Sequence, residues 1–242
     1  MDHFFSRAST NLSRLSQSPY PGDGIVVGLS GDGVLVLAYW VMQQREQERN
    51  QMLVSDGKRV FIETVHPTAQ TFHPHDVMHQ SFDGAYTVHI AGNGPQTDLV
   101  KMGYAVDQAD LYKTMGGFSY KLDEHHTSRI TAVAYWNVDE TVAEMSMIRK
   151  SEWNKKNDKV LHHFGSLGIG FGHCITTYGF SAPVHDFRGE PYLLLVGDTI
   201  NEVADTYWNA LNEENRVSLV VKFIPRNGTP EFRIINKYGK AA

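Results

Sequence analysis

Only one cysteine, Cys174, stands in the 242 residues, so an internal disulfide is excluded and the chain fits a reducing compartment. Long apolar runs are missing too, and no stretch approaches the ~20 residues that a bilayer span needs. Positive charge is in deficit: 22 Lys and Arg stand against 27 Asp and Glu, a net charge of −5. That balance argues against a general nucleic-acid or membrane-surface binder, which needs a cationic face. No repeat, low-complexity tract or linker-like stretch divides the sequence, so one domain over residues 1–242 is expected. The opening MDHFFSRASTNLSRLSQSP carries Asp2 and lacks the apolar core of a secretory signal. An amphipathic leader helix over residues 1–18 is expected there, with Phe4, Phe5, Leu12 and Leu15 inward. These features together predict a cytoplasmic protein.

What is present is the composition of an ordinary globule, 41% apolar and 20% charged, on a chain long enough to bury a core. GIVVGLS and VLVLAYWVM flank Gly31-Asp32-Gly33, a hairpin signal. KRVFIETV, AYTVHIAG, RITAVAYWNV, VAEMSMIRKSE, HCITTYG, PYLLLVG, VSLVVKFI and EFRIINKY are further strand candidates. DLVKMGYAVDQADLYKTMGG reads as a helix through Leu99, Met102, Val106 and Ala109, ending on a glycine pair. DTINEVADTYWNALNEENR is the clearest helix, with Ile200, Val203, Ala204, Tyr207, Trp208 and Leu211 on one face. Hairpins mixed with a few separated helices predict an α+β domain with antiparallel sheets rather than a doubly wound one. Trp153 and Trp208 are expected in the core, or, where exposed, would mark a subunit contact, and a homo-oligomer is expected.

Several motifs invite a chemical reading. HPTAQTFHPHDVMHQ holds His66, His73, His75 and His79, with His89 soon after. The spacing matches no metal motif and the prolines make the stretch a loop, so no metal is expected. His125-His126 and His162-His163 are adjacent pairs, whose rings diverge on a strand. GSLGIGFGHCITTYG puts its glycines before a strand, the reverse of a phosphate loop, and no lysine follows. Close backbone approach is the plainer explanation. Cys174 follows His173 directly, yet strand neighbours face opposite ways, so a small buried apolar residue is expected rather than a nucleophile. AGNGPQTD ends a strand and presents Asn93, Gln96, Thr97 and Asp98 before a helix. Either Thr97 or Asp98 caps that helix, or the same groups orient a ligand over its N-terminus.

Taken together, YPGDGIVVG, AYWVM with the following RN, GNGPQTD, YKLDEHHTSRI, GFGHCITTYG and FRGEP fall in one order from Tyr20 to Pro191. That ordered set resembles the IMP cyclohydrolase family of archaea and some bacteria. The resemblance implies a four-layer αββα sandwich like that of the N-terminal-nucleophile hydrolases, without autoprocessing. It implies closure of a purine ring by attack of a carboxamide nitrogen on a formamido carbon, with loss of water. The substrate so implied is a small molecule, a formylated aminoimidazole carboxamide ribonucleotide, and no cofactor is needed. Nucleic acid and membrane are not expected partners. Such chemistry asks for a group that moves protons and for donors to a developing oxyanion. The candidates so implied are Asn93, Asp98, Arg129, His173 and Tyr178 as catalytic residues. Gly94, Gln96, Thr97, Asp123, Gly172 and Thr177 are implied as substrate contacts, joined by Arg49 and Asn50.

The departures from the family pattern fall on its basic positions. The opening pattern Tyr-Pro-Gly-Arg-Gly carries Asp23 at the basic place. In QQREQERNQ, Gln43 and Gln44 replace a Gly-Arg pair, Arg45 sits at a Ser position, and Gln51 replaces a final Arg. Thr176-Thr177-Tyr178 stands for His-Thr-Tyr, and Lys121-Leu122-Asp123 for Glu-Pro-Asp. Arginine grips phosphate oxygens through paired hydrogen bonds, so these losses predict a rebuilt phosphate end, where Asp23, Gln44 and Gln51 suit a substrate with a neutral or cationic group or no phosphate, and where Arg45 replaces at most one lost arginine. The rivals are an unchanged purine enzyme, a silent binding protein that kept the shell, and a hydrolase using Cys174.

Overall fold

A computed structural model describes residues 2–66, 76–82, 86–105, 111–118, 127–137, 141–154, 156–181 and 183–239. The described residues form two antiparallel sheets, four α-helices and a short 3-10 turn at Glu46–Arg49, so the α+β expectation holds. The first sheet runs β11 (Tyr192–Leu195), β10 (Phe171–Thr176), β1 (Gly24–Leu29), β2 (Leu35–Met42), β12 (Arg216–Ile224), β13 (Glu231–Asn236). The second follows chain order: β3 (Gln51–Ser55), β4 (Val60–Thr64), β5 (Asp76–Phe82), β6 (Thr87–Gly92), β7 (Arg129–Trp136), β8 (Thr141–Lys150), β9 (Asn157–Phe164).

Alternation decides what each face does. In β1 and β2, Ile25, Val27, Leu37, Tyr39 and Val41 join Ile62, Met78, Ile130 and Ala132 of the second sheet in one core between the sheets. The intervening Val26, Ala38, Trp40 and Met42 face outward against Leu15 of helix α1 (Asp2–Gln17) and Val203, Ala204 and Tyr207 of helix α4 (Ile200–Ala210). Both faces of these strands are therefore buried. This explains why their sequences read as continuous apolar runs. On the second sheet, Val88, Ile90 and Val133 turn outward against Val100 and Tyr104 of α2 (Gln96–Ala105) and Leu111 and Met115 of α3 (Leu111–Gly117). That order of helices and sheets is compatible with a sandwich. None of the described helices is long and apolar enough to cross a membrane.

Helix α4 follows its sequence signals closely. Thr199 caps it by accepting the Glu202 N–H at 3.2 Å, and Glu202 Oε2 accepts the Asp198 N–H at 3.1 Å. Such a cap contributes about 1 kcal/mol. Trp208 packs beside this core and lies under the Arg216 guanidinium, whereas Trp153 is exposed.

Other expectations need correction. In α1 the inward stripe is Ala8, Asn11 and Leu15, with Leu12 beside it, while Phe4 and Phe5 are exposed. The reason is polar: Asn11 Nδ2 donates to the Leu193 carbonyl of β11 at 3.0 Å, on the strand at the sheet edge. The single helix expected over residues 98–117 is two helices, with residues 106–110 outside the described set. Its buried face is Val100 and Tyr104, whereas Leu99 and Met102 are exposed. Val106 and Ala109 lie outside the described residues. The histidine-rich stretch, expected as loop to Gln80, becomes strand β5 from Asp76 onward.

Candidate active site

A cavity of about 650 Å³ opens where strand ends of both sheets meet. Its wall includes Tyr20 and Asp23 before β1, Val41 and Met42 ending β2, Gln43, Gln44, Arg45 and Glu48 of the following connection, Gln51 opening β3, and Ile62 of β4. Asn93 after β6, Thr127 and Arg129 at β7, Thr177 and Tyr178 after β10, and Val184 complete it.

The Gly-Asp-Gly opening is built for close approach. Gly22 has φ +69°, and a side chain there would collide with Thr177. A Cβ on Gly24 would strike the Trp40 indole, whose Nε1 donates to the Gly22 carbonyl at 2.9 Å. The stretch is further tied by Thr177 N–H to Asp23 O at 2.9 Å and Tyr178 N–H to Pro21 O at 3.0 Å. These ties aim the Asp23 carboxyl into the cavity. Its Oδ2 accepts the Tyr39 hydroxyl at 3.0 Å and its Oδ1 accepts the Met42 N–H at 3.2 Å. Burial pushes this carboxyl up to about 6, against the pull of those two hydrogen bonds and of Arg129. Burial and Asp23 together push the Tyr39 phenol well up, so Tyr39 stays a donor. Tyr20 is raised by the same two causes and donates to the Met42 carbonyl at 3.2 Å.

Opposite lies a knot formed by two sequence motifs. Asn93 Nδ2 donates to Ser128 O at 3.0 Å, while its Oδ1 accepts the Ile130 N–H at 2.9 Å and Gln96 Nε2 at 3.3 Å. Gln96 Nε2 also reaches Ile130 O at 3.2 Å. Arg129 Nη1 donates to the Asn93 carbonyl at 3.1 Å. Gly94 lets this happen, since a Cβ there would come within 3.0 Å of Arg129 Cδ. The amide of Asn93 is therefore committed to backbone and to Gln96, and by pinning its own residue it helps to place the Arg129 guanidinium on the Asn93 backbone carbonyl.

The expected site residues divide accordingly. Asp23, Gln44, Arg45, Asn93, Arg129, Thr177 and Tyr178 come together around the cavity. Arg49 and Asn50 do not line it. Arg49 holds the loop instead, donating to Gln43 O at 3.0 Å, Gln44 O at 3.0 Å and Asn215 Oδ1 at 3.1 Å. Asn50 exchanges two 2.9 Å hydrogen bonds with the backbone of His66. Gln96 and Thr97 are buried behind the wall, and α2 begins at Gln96, so Thr97 and Asp98 lie inside its first turn rather than at its cap. Asp98 is exposed near His79, away from the cavity. Gly172 packs opposite Gly28, where a Cβ would crowd Val26 and Val196. His173 stacks on Phe164 with ring centroids 3.9 Å apart, outside the cavity wall. Burial, then Arg7 and His162, push its imidazole down to about 4. Asp123 lies outside the described residues.

Sequence reasoning missed Tyr20, Tyr39, Glu48, Thr127 and Val184. Tyr20 opens the YPGDGIVVG stretch and was visible there. Tyr39 was visible only once strand alternation had turned it toward the inner face. Cys174 lies in the apolar layer with Val26 and Tyr207, and burial pushes its thiol well up. It is expected to resist iodoacetamide in the folded protein and to react once the chain is denatured. Rapid labelling of the native protein, read by mass spectrometry, would contradict that placement.

Residues 20–228 match the family described as IMP cyclohydrolase-like protein. The chain belongs to that family. The matched range starts at Tyr20, the first residue of the cavity wall, and leaves out helix α1. Membership suggests a cyclohydrolase-type function. A comparison with curated proteins finds no match.

Proposed function

We propose that this IMP cyclohydrolase-like protein is an enzyme of intramolecular amide cyclisation with loss of water, or of its hydrolytic reverse. Its substrate carries a neutral or cationic group where the purine precursor carries phosphate. The fold we assign is the αββα sandwich of the N-terminal-nucleophile-hydrolase type. One observation carries the substrate reading. The two cations of the cavity wall are each matched by an acid: Arg45 Nη1 lies 3.5 Å from Glu48 Oε1, and Arg129 acts on Asp23. A dianion would meet no surplus of positive charge among the described wall residues, and Asp23 would repel it.

In the forward direction a carboxamide nitrogen attacks a formamido carbon and a new N–C bond forms. The amide and formamido N–H protons both pass to the former formyl oxygen, which departs as water, leaving a C=N bond. Arg129 polarises that oxygen, and the hydroxyl of Tyr178 supplies a further donor to it. Asp23 relays the protons, since a carboxyl near 6 both accepts and donates close to neutral pH. Because the step is intramolecular, a wall that holds the two groups in attack geometry supplies much of the rate.

A second reading, the ordinary purine enzyme, is favoured by the presence of Arg45 and Arg129 in one wall. The formylated aminoimidazole carboxamide, offered as ribonucleotide and as phosphate-free riboside with purine formation followed in the ultraviolet, separates the two. We expect riboside turnover without phosphate preference. A strong preference for the ribonucleotide would establish the second reading in its place, and saturable binding without turnover would mark a silent binding protein.

A further inference from the structure

On the outer face of the second sheet, α2 packs on β5, and three side chains meet there, none of them part of the cavity wall. Asp76 and His79 are three apart on β5, which on a regular strand would face opposite ways. A bulge lets them share a side: Val60 pairs with Met78 and Phe61 with Asp76, leaving one extra residue in β5. Asp98, in the first turn of α2, lies over them. One ligand atom from each of the three falls within 4.8 Å of the others.

The imidazole is the deciding group. His79 is 1% exposed, with Nδ1 at 3.2 Å from Asp76 Oδ2 and Nε2 at 3.4 Å from Asp98 Oδ1. Nε2 has no hydrogen-bond partner. A neutral ring that gives its Nδ1 proton to Asp76 turns a lone pair on Nε2 toward another acceptor, and two acceptors so placed repel. Their 3.4 Å separation is the N···O edge of a tetrahedron with metal bonds of about 2.1 Å.

We propose that His79 Nε2 and the Asp98 carboxylate ligate a divalent transition ion of the zinc class, with Asp76 fixing the imidazole from behind. A carboxylate on the far nitrogen sets the tautomer and raises the ring's basicity toward a metal. A nitrogen ligand selects zinc-class ions over magnesium and calcium, which prefer oxygen. Arg59 Nη1, at 3.4 Å from Asp76 Oδ1, offsets part of the charge behind the ring, so that the Asp98 side carries the cation.

The test is calorimetric titration of the full-length, untagged protein with Zn²⁺, paired with the visible spectrum of the Co²⁺ form. One saturable equivalent is expected, with a tetrahedral Co²⁺ spectrum and no response to Mg²⁺ or Ca²⁺. Asp98→Asn changes an exposed side chain and should fold normally while weakening binding at least tenfold. His79→Gln should abolish it, and Asp76→Asn should weaken it by about 10–100-fold. No saturable binding to the wild type would overturn the proposal. So would undiminished affinity in Asp98→Asn, which would mean an adventitious ion only, held by other histidines.

Discussion

Asp23→Asn is expected to lower kcat/KM for the enzyme's own substrate by about 10²-fold or more, the usual contribution of a proton-transferring group. The ionisation near pH 6 should vanish from the pH–rate profile with it. Asparagine retains the shape: its oxygen can take the Met42 N–H, and its amide can donate to the Tyr39 hydroxyl. Loss of turnover would therefore report the missing proton rather than a collapsed wall. Phosphate-bearing ligands should bind the variant at least tenfold better, because the repelling carboxylate is gone.

Stability gives an independent reading of the same group, and its sign is fixed. The folded pKa of about 6 lies above the reference value of 3.8, so the folded protein binds this proton more tightly than the unfolded chain. The stabilisation that it contributes is complete below about pH 4 and is lost as pH rises through 6. The Asp23→Asn variant lacks this loss. Its advantage over wild type should grow between pH 4 and pH 7, by about 1–2 kcal/mol once partial solvent access is discounted. Parallel unfolding curves for the two proteins across that range, with an unchanged pH–rate profile, would remove Asp23 from the mechanism.

Asn93→Ala should have the largest effect on the fold. The side chain serves the Ser128 carbonyl, the Ile130 N–H and the Gln96 amide, all buried. Alanine leaves these groups without that partner, and an unsatisfied buried polar group costs about 1–3 kcal/mol. Even with partial relaxation, a loss of about 3–5 kcal/mol is expected from denaturant unfolding, against a total of about 5–15 kcal/mol for a typical domain. The Arg129 guanidinium rests on the Asn93 backbone carbonyl, which alanine keeps but no longer pins through the side chain, so turnover should also fall at temperatures where the variant is still folded. A loss under 1 kcal/mol would show that the knot contributes little, and wild-type turnover would show that it does not place Arg129.

Much of the fold was legible because local patterning and burial agree. The strand pairs around Gly31-Asp32-Gly33 and the stripe of α4 follow directly from period and turn chemistry. Strand β3 and the β5 portion of the histidine-rich stretch were not legible. Gln51–Ser55 is short and half-exposed, and β5 depends on a bulge against β4 that no single stretch encodes. The helix faces failed for a related reason. Phe4, Phe5 and Met102 are the more hydrophobic choices, yet Asn11 and Tyr104 are turned inward by polar partners, the Leu193 carbonyl and Glu144 Oε2.

The site divides along the same line. Family membership, the antiparallel α+β class and the unusual acid at position 23 could all be read from residue order, since each rests on local identity and spacing. Which members of the motifs reach the cavity could not. Adjacent residues on β10 diverge, so His173 is carried to a stack with Phe164 while Thr177 and Tyr178, just past the strand end, reach the wall. Arg49 and Arg45 stand four apart, yet one is spent on backbone carbonyls and the other faces the cavity. The ionisation of Asp23 was settled in the same way. Its near-neutral pKa comes from burial opposed by Tyr39, Met42 and Arg129, partners up to 106 positions away along the chain, and only packing brings them to one carboxylate.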